Sequence, residues 1–241
     1  MPRIFLPAAD LLSQPLTIRG EKAKYLATVL RSRVGDSLVV HDDRGNSYTA
    51  TLTAVTPREV TAELTGKIDW NTESALQITL YQGILKGEKM DFVIQKATEL
   101  GVDNIVPVVT ERSQVRETRK LPRWTKIAGE AARQSGRNAV PRVHEIVRFD
   151  ALPPSASPKG ILFWEKGGDD LAAALGTFQG GGDISLFTGP EGGFSEKEVA
   201  SAAEMGFLTA TLGRRILRAE TAAVAAIAIA QFSLGDLGRA L

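Results

Sequence analysis

Two short runs late in the sequence carry the residue types that chemistry needs. The first is Thr188-Gly189-Pro190-Glu191-Gly192-Gly193. Three glycines and a proline in six residues force an irregular backbone and bare several amides and carbonyls. Bare backbone groups suit an adenine edge or a ribose, and Glu191 adds a carboxylate for a ribose hydroxyl or a cation. An anionic phosphate fits less well beside that acid. The competing reading, an ordinary strand-to-helix connection, needs one glycine and not three. The second run is Leu212-Gly213-Arg214-Arg215-Ile216-Leu217-Arg218-Ala219-Glu220-Thr221. Ile216 and Leu217 lie in a polar stretch, where they either wrap an apolar ligand face or plug the core. Arg218 and Glu220 are either a functional pair or a plain ion pair.

Each run follows a short apolar strand, expected at 184–188 and 207–212, and each precedes a helix. Loops leaving the carboxyl ends of neighbouring parallel strands form the crevice where ligands bind. The two runs are therefore expected to be two walls of one pocket. Upstream, strands near 76–81, 105–109, 143–147 and 160–164 alternate with helices near 88–100, 122–135 and 169–175. Helices near 195–205 and 221–234 complete the set. This is the α/β signature of a covered parallel sheet. Ser195 with Glu198 reads as a capping box, Gly101 as a helix stop, and Thr221 as the cap of the last helix. Pro141 and the Pro-Pro-Ser-Ala-Ser-Pro run at 153–158 mark connections.

The first 65 residues follow a different pattern. Strands at 3–6, 16–19, 37–41, 47–55 and 59–64, with one helix at 21–30, suggest a compact barrel of the kind often used for RNA. The polar, turn-rich stretch 66–74 marks the boundary, giving expected domains at 1–70 and 74–241.

Absences remove whole mechanisms. There is no cysteine among 241 residues, so disulfides, thiolate metal sites and a cysteine nucleophile are out. No G-x-G-x-x-G follows a strand and no G-x-x-x-x-G-K-[ST] exists, which removes the Rossmann fingerprint and the phosphate-cradling loop. No G-x-S-x-G exists, and His41 and His144 are the only histidines, too few to suit a hydrolase triad. His144, in a strand, reads as structural; His41, before a hairpin turn, reads as exposed. The opening M-P-R-I-F-L-P has neither a long apolar run nor a basic leader, so no signal peptide is expected, and the longest apolar stretch, 222–230, is too short for a bilayer. A soluble cytoplasmic protein without a membrane or metal partner is expected. Net charge is +1, yet residues 111–142 hold nine basic side chains against three acidic ones. That surplus is either a footprint for phosphate backbones or a solvated helical face paired with acids elsewhere. On the 122–135 helix, Trp124, Ile127, Ala128, Ala131 and Ala132 form one stripe, turning Arg123, Lys126, Glu130, Arg133 and Arg137 away from it, so that the basic patch is expected to be largely solvent-side.

The two C-terminal runs, F-T-G-P-E-G-G-F-S-E-K-E and L-G-R-R-I-L-R-A-E-T-A, resemble the RsmE family of bacterial 16S ribosomal RNA uridine-N3 methyltransferases, of the SPOUT class. The likeness extends to Lys86-Gly87-Glu88-Lys89-Met90-Asp91, Lys96-Ala97-Thr98-Glu99-Leu100-Gly101-Val102 and Thr110-Glu111-Arg112-Ser113. It continues through 130–137 with Val140-Pro141, and through Pro2-Arg3-Ile4-Phe5, Val29-Leu30-Arg31 and Gly35-Asp36. The family often has histidines before its V-L-R element, where this chain has Lys24-Tyr25. The resemblance implies an α/β SPOUT-type parallel sheet with a C-terminal trefoil knot, preceded by a small PUA-like β-barrel that grips RNA. It implies S-adenosylmethionine as cofactor, bound in the knot loops at a homodimer interface, and 16S rRNA or the small ribosomal subunit as partner. On this chain those loops correspond to the strand end Leu162-Phe163-Trp164, to Thr188-Gly189-Pro190-Glu191-Gly192-Gly193, and to Leu212, Gly213, Ile216, Leu217, Arg218 and Thr221.

Methyl transfer to uridine N3 needs loss of an imide proton and stabilisation of an anion spread over N3 and two carbonyls. Arg218 is the first residue expected to face that charge and Arg112 the second, with Glu220 as proton acceptor or as orienter of Arg218. Arg3, Arg31, Arg116, Arg133 and Arg137 are the expected RNA contacts. Two alternatives stay open: a non-catalytic RNA-binding or assembly protein, and a SPOUT enzyme acting on another atom or position.

Overall fold

The computed structural model describes residues 1–69, 71–152, 160–178 and 182–239. The 153–158 connection lies outside them. The chain divides into two compact units, residues 1–73 with 132–140, and residues 74–131 with 141–241. The first unit thus takes in a stretch far along the sequence as well as the N-terminal residues.

The first unit is built on strands β1 (Arg3–Phe5), β2 (Leu16–Arg19), β3 (Ser37–His41), β4 (Ser47–Val55) and β5 (Glu59–Ile68). They pair in the order β1-β3-β4-β5-β2, with β1 parallel to β3 and every other pair antiparallel. Inward residues of all five strands, among them Ile4, Ile18, Val40, Leu52 and Ala62, meet Ala23 and Leu26 in one cluster. A sheet that buries one face into a single cluster curls around it, the PUA-like form expected. The helical segment starts as α1 (Glu21–Lys24) and widens into one π-turn at Tyr25–Val29, where Leu30 N–H bonds the Tyr25 carbonyl at 3.0 Å.

His41 corrects the sequence reading. It is only 4% exposed, because β1 lies beside β3 in parallel and sets Phe5 opposite it, ring centroids 5.1 Å apart. Its Nδ1 and Ser47 Oγ are 2.8 Å apart. Burial first, then the Arg3 charge, pushes the imidazole below its ordinary pKa despite Glu73 and Asp42.

The second unit carries a parallel sheet: β6 (Gln77–Gly83), β7 (Asn104–Val109), β8 (Arg142–Val143), β9 (Val147–Arg148), β10 (Gly160–Phe163), β11 (Asp183–Thr188) and β12 (Phe207–Ala210). The order is β12-β10-β11-β6-β7-β8, and β9 also pairs with β7. The strand expected at 143–147 is two pieces. Ile105 and Val108 of β7 face Val143 and Val147, so the outer strand has one residue more than its partner and breaks there. His144 sits in the break, its Nε2 2.9 Å from Asn104 Oδ1, a structural histidine. Apolar side chains fill both faces of β10 and β11, as a sheet covered by helices requires.

The helices are α2 (Lys89–Glu99), α3 (Leu121–Ser135), α4 (Leu171–Gly176), α5 (Glu196–Glu204) and α6 (Ala219–Leu234). Helix α2 stops as expected: Gly101 N–H bonds the Thr98 carbonyl and Val102 N–H the Ala97 carbonyl. The Ser195–Glu198 capping box forms. Thr221 does not cap α6. That helix begins two residues earlier, with Arg218 as its half-in residue and no side-chain cap. The stripe on α3 faces inward, with Trp124 1% exposed. Its indole N–H donates to Asp91 Oδ1 at 3.0 Å, while Arg123 Nε donates to Asp91 Oδ2 at 2.9 Å, tying α3 to the first turn of α2. Asp91→Ala leaves that buried indole donor unpaired. Urea unfolding is expected to report a loss of about 1–3 kcal/mol.

Among the described residues, no helix is long and apolar enough to cross a membrane. No group of three or more His, Cys, Asp or Glu side chains there is placed to hold a metal ion.

Candidate functional site

Parallel strands β12, β10, β11 and β6 lie side by side, so the loops leaving their carboxyl ends share one edge. A cleft of about 460 Å³ opens there, within the range of small-molecule sites. Its walls are the end of β10 (Phe163, Trp164 and Glu165), the loop after β11 (Gly189–Phe194), and the loop from β12 into α6 (Thr211, Leu212, Gly213, Arg215–Ala219, Ala222). Lys89 at the start of α2 closes the lining.

Of the residues expected to hold a cofactor, Phe163, Trp164, Gly189, Pro190, Glu191, Gly192, Gly193, Leu212, Gly213, Ile216, Leu217 and Arg218 line this cleft. Leu162, Thr188 and Thr221 are outside the lining. Leu162 and Thr188 are buried behind it, and Thr221 is on the exposed side of α6. Ile216 is 83% exposed, so it does not plug the core.

The β11 loop is held from β6, by residues that no sequence pattern singles out. Gln82 is fully buried. Its carboxamide oxygen accepts from Thr188 Oγ1 at 2.8 Å, and its nitrogen donates to the Gly83 and Gly189 carbonyls at 2.9 and 3.2 Å. Beside it, Gly83 has no side chain because none fits: a Cβ there would lie 2.5 Å from Pro190 N. Gly193 takes φ +67°, and its N–H closes a turn onto the Pro190 carbonyl at 2.9 Å.

Among the described residues, two buried polar atoms of the cleft lining, Trp164 Nε1 and Glu191 Oε2, have no hydrogen-bond partner, and neither has Glu220 Oε2, on the first turn of α6 just outside that lining. A buried polar atom left unpaired is costly, and its usual resolution is a ligand or water. Glu191 Oε1 accepts from Lys86 N–H at 3.0 Å and lies 3.4 Å from Lys89 Nζ. Burial pushes the Glu191 carboxyl up. Backbone donation from its own and the Lys86 N–H, with the Lys89 charge, outweighs this and holds it below the usual carboxylate range.

Glu220 is not paired with Arg218: its Oε2 lies 3.5 Å from Lys89 Nζ. Arg218, exposed at the mouth, makes no ion pair among the described residues. Arg112 reaches the rim, its Nη1 donating to the Gly192 carbonyl at 3.3 Å.

The expected RNA contacts divide between the units. In the second unit, Arg116 donates to the Glu111 carbonyl at 3.0 Å and borders a separate depression with Arg148 and Glu198. In the first, Arg31 is exposed, with the left-handed φ of 53°, and Arg133 stacks 4.4 Å over the Tyr25 ring. Arg3 is half-buried near Gly136. Arg137 does not face solvent. It is 5% exposed and bound to Glu73, because its segment packs into the first unit instead of continuing α3. The basic surplus of 111–142 is therefore not one solvent face, and Arg123 and Arg137 are matched by acids.

Residues 72–231 match the family described as an RNA methyltransferase domain, and residues 18–65 the RNA methyltransferase PUA domain. The chain is 32% identical to ribosomal RNA small subunit methyltransferase E of Bacillus subtilis, covering 88% of this chain and 87% of that one. It is equally identical, at 32%, to the Buchnera aphidicola (Acyrthosiphon pisum) protein of the same name, covering 98% and 95%. Among solved structures, ribosomal RNA small subunit methyltransferase E from Neisseria gonorrhoeae bound to S-adenosyl methionine superposes with a TM-score of 0.88 at 38% identity, covering 98% of this chain and 99% of that one. With its curled N-terminal sheet, its parallel sheet and a cleft at the ends of β10, β11 and β12, the chain belongs to the ribosomal RNA small subunit methyltransferase E family.

Proposed function

We propose that this protein transfers a methyl group from S-adenosylmethionine to N3 of a uridine in 16S rRNA of the small ribosomal subunit. One observation carries the reading: three neighbouring strand ends close around a cleft of about 460 Å³ with bare glycine backbone and unpaired buried polar atoms. Those groups fit the cofactor's parts. Phe163, Ile216 and Leu217 offer apolar surface to an adenine, and the Gly189–Gly193 and Leu212–Gly213 backbone offers amides and carbonyls to its edge. Glu191 Oε2 suits a ribose hydroxyl, and Trp164 Nε1 is a donor awaiting an acceptor.

When bound, S-adenosylmethionine supplies an already activated methyl, so the protein's task is alignment and a competent nucleophile. The Arg218 guanidinium, uncommitted at the mouth, stabilises the anion left when the uridine N3 proton departs. Arg112 guards the opposite rim through Gly192. Glu220, held beside Lys89, is the carboxylate nearest Arg218 in the sequence and the candidate proton acceptor.

Residues 1–70 serve as the RNA-gripping domain and 74–241 as the methyltransferase domain. The order β12-β10-β11-β6, with α6 packed back on α2, supports a knotted C-terminal segment. Exposed Phe92 on α2 and Ile229 and Phe232 on α6 support a homodimer that covers them. A ribosomal substrate puts the reaction in the cytoplasm.

Calorimetric titration with S-adenosylmethionine tests the reading. Saturable binding at one site per chain is expected, and absence of binding removes it. For the RNA side, Arg31→Ala with Arg133→Ala is expected to weaken binding to any sequence. The slope of log affinity against log salt should fall by about 0.7–0.9 for each phosphate no longer neutralised. An unchanged slope would take both residues off the RNA surface.

A further inference from the structure

We propose that Lys89 is a positioning residue that draws the two cofactor loops together, by sharing one ammonium between the Glu191 carboxylate of one loop and the Glu220 carboxylate at the end of the other. The inference rests on the cleft being the S-adenosylmethionine site. Lys89 Nζ lies 3.4 Å from Glu191 Oε1 and 3.5 Å from Glu220 Oε2. The acids come from different strand ends, the β11 loop and the first turn of α6, and the cation from a third, the start of α2 after β6. Their side chains are only 19% and 16% exposed, against 38% for Lys89. Two partly buried carboxylates sharing a single cation repel each other once it is removed, and little water remains to screen them.

The geometry fixes what Lys89 does and what it leaves free. Glu191 Oε1 takes both the Lys86 N–H and the ammonium, which turns Oε2 away unpartnered. Glu220 Oε2 meets the ammonium without hydrogen-bond geometry. Both acids thus face the ammonium while each keeps one oxygen without a hydrogen-bond partner for ligand groups. Lys89 itself lines the cleft, so losing its charge acts on the loops at the place where they meet the cofactor. A purely space-filling lysine would be replaceable by any side chain of similar length.

The test is titration of the full-length protein with S-adenosylmethionine, with melting curves run on every variant. Lys89→Met is expected to weaken binding about tenfold or more, while Lys89→Arg, which keeps the charge, stays within about threefold of wild type. Lys89→Gln, polar and of similar length, serves if the Met variant does not fold, with the same expected loss. In a Glu191→Gln, Glu220→Gln background, Lys89→Met is expected to change affinity less than about twofold, since the carboxylates that need it are gone. The proposal is overturned if wild type binds and Lys89→Met or Lys89→Gln binds equally well. It is also overturned if Lys89→Arg is as poor as Lys89→Met, or if the loss persists undiminished in the double-Gln background. If wild type does not bind S-adenosylmethionine, the functional reading itself fails and this inference falls with it.

Discussion

Arg218→Ala is expected to bind S-adenosylmethionine within a few-fold of wild type and to methylate RNA about 10²–10³ times more slowly, equivalent to about 2.7–4 kcal/mol of transition-state stabilisation. The position of the side chain is the reason. Among the described residues Arg218 makes no ion pair, and it is exposed at the cleft mouth as the half-in residue before α6. A guanidinium with no internal partner contributes little to folding, so its removal should leave the melting temperature nearly unchanged. Neighbouring Glu220 is already committed to Lys89, so the substitution orphans no buried acid. Single-turnover methylation with saturating cofactor isolates the chemical step. A variant that methylates at the wild-type rate would shift the role to Arg112, whose Nη1 donates to the Gly192 carbonyl of the cleft wall.

Gly83→Ala is expected to damage cofactor binding more than any other single methyl group added to the sheet. The new Cβ would stand 2.5 Å from Pro190 N, 2.6 Å from Pro190 Cδ and 2.8 Å from the Gly189 carbonyl carbon. All three atoms belong to the cleft wall or its rigid ring, so the loop after β11 must move. Overpacking of this kind costs about 1–3 kcal/mol in stability, and the displaced loop should lower S-adenosylmethionine affinity by roughly a hundredfold, since misplacement by about 1 Å has effects of that size. Gly129→Ala in α3 is the control. A Cβ there meets nothing within 4 Å, and alanine suits a helix better by about 1 kcal/mol. Equal affinity in the two variants would mean that the Gly83–Pro190 approach does not shape the site.

How much of this could be read in advance divides along the range of the interactions. The two loop runs were legible because a cluster of glycines is a local signal, and the capping box at Ser195 because its two partners are three residues apart. The five strands of the first unit were legible from turn residues and alternation. Gln82 and Gly83 were not, and Lys89 stood out only as a member of the Lys86–Asp91 run, with no role attached to it. Gln82 meets Gly189 across 107 residues of sequence, and no local pattern announces a bond of that span. His41 looked like a hairpin-flank residue, and became buried only because β1 pairs with β3 in parallel. Arg137 belonged to a helical pattern by periodicity, but its partner is Glu73, 64 residues earlier. Thr221 is the opposite case: its side chain suits a cap, but the backbone starts α6 earlier, with Ala222 N–H bonding the Arg218 carbonyl at 2.8 Å.

Delivery of a methyl group to N3 of a ribosomal uridine, from the cleft at the ends of β10, β11 and β12, is the step on which the other proposals depend. Small subunits lacking this modification, incubated with the protein and isotopically labelled S-adenosylmethionine, then digested and resolved by nucleoside mass spectrometry, address it directly. Label is expected in N3-methyluridine, and none with Arg218→Ala at the same early time point. Label in a ribose 2′-O-methyl or a methylguanosine, or no label at all, would contradict it.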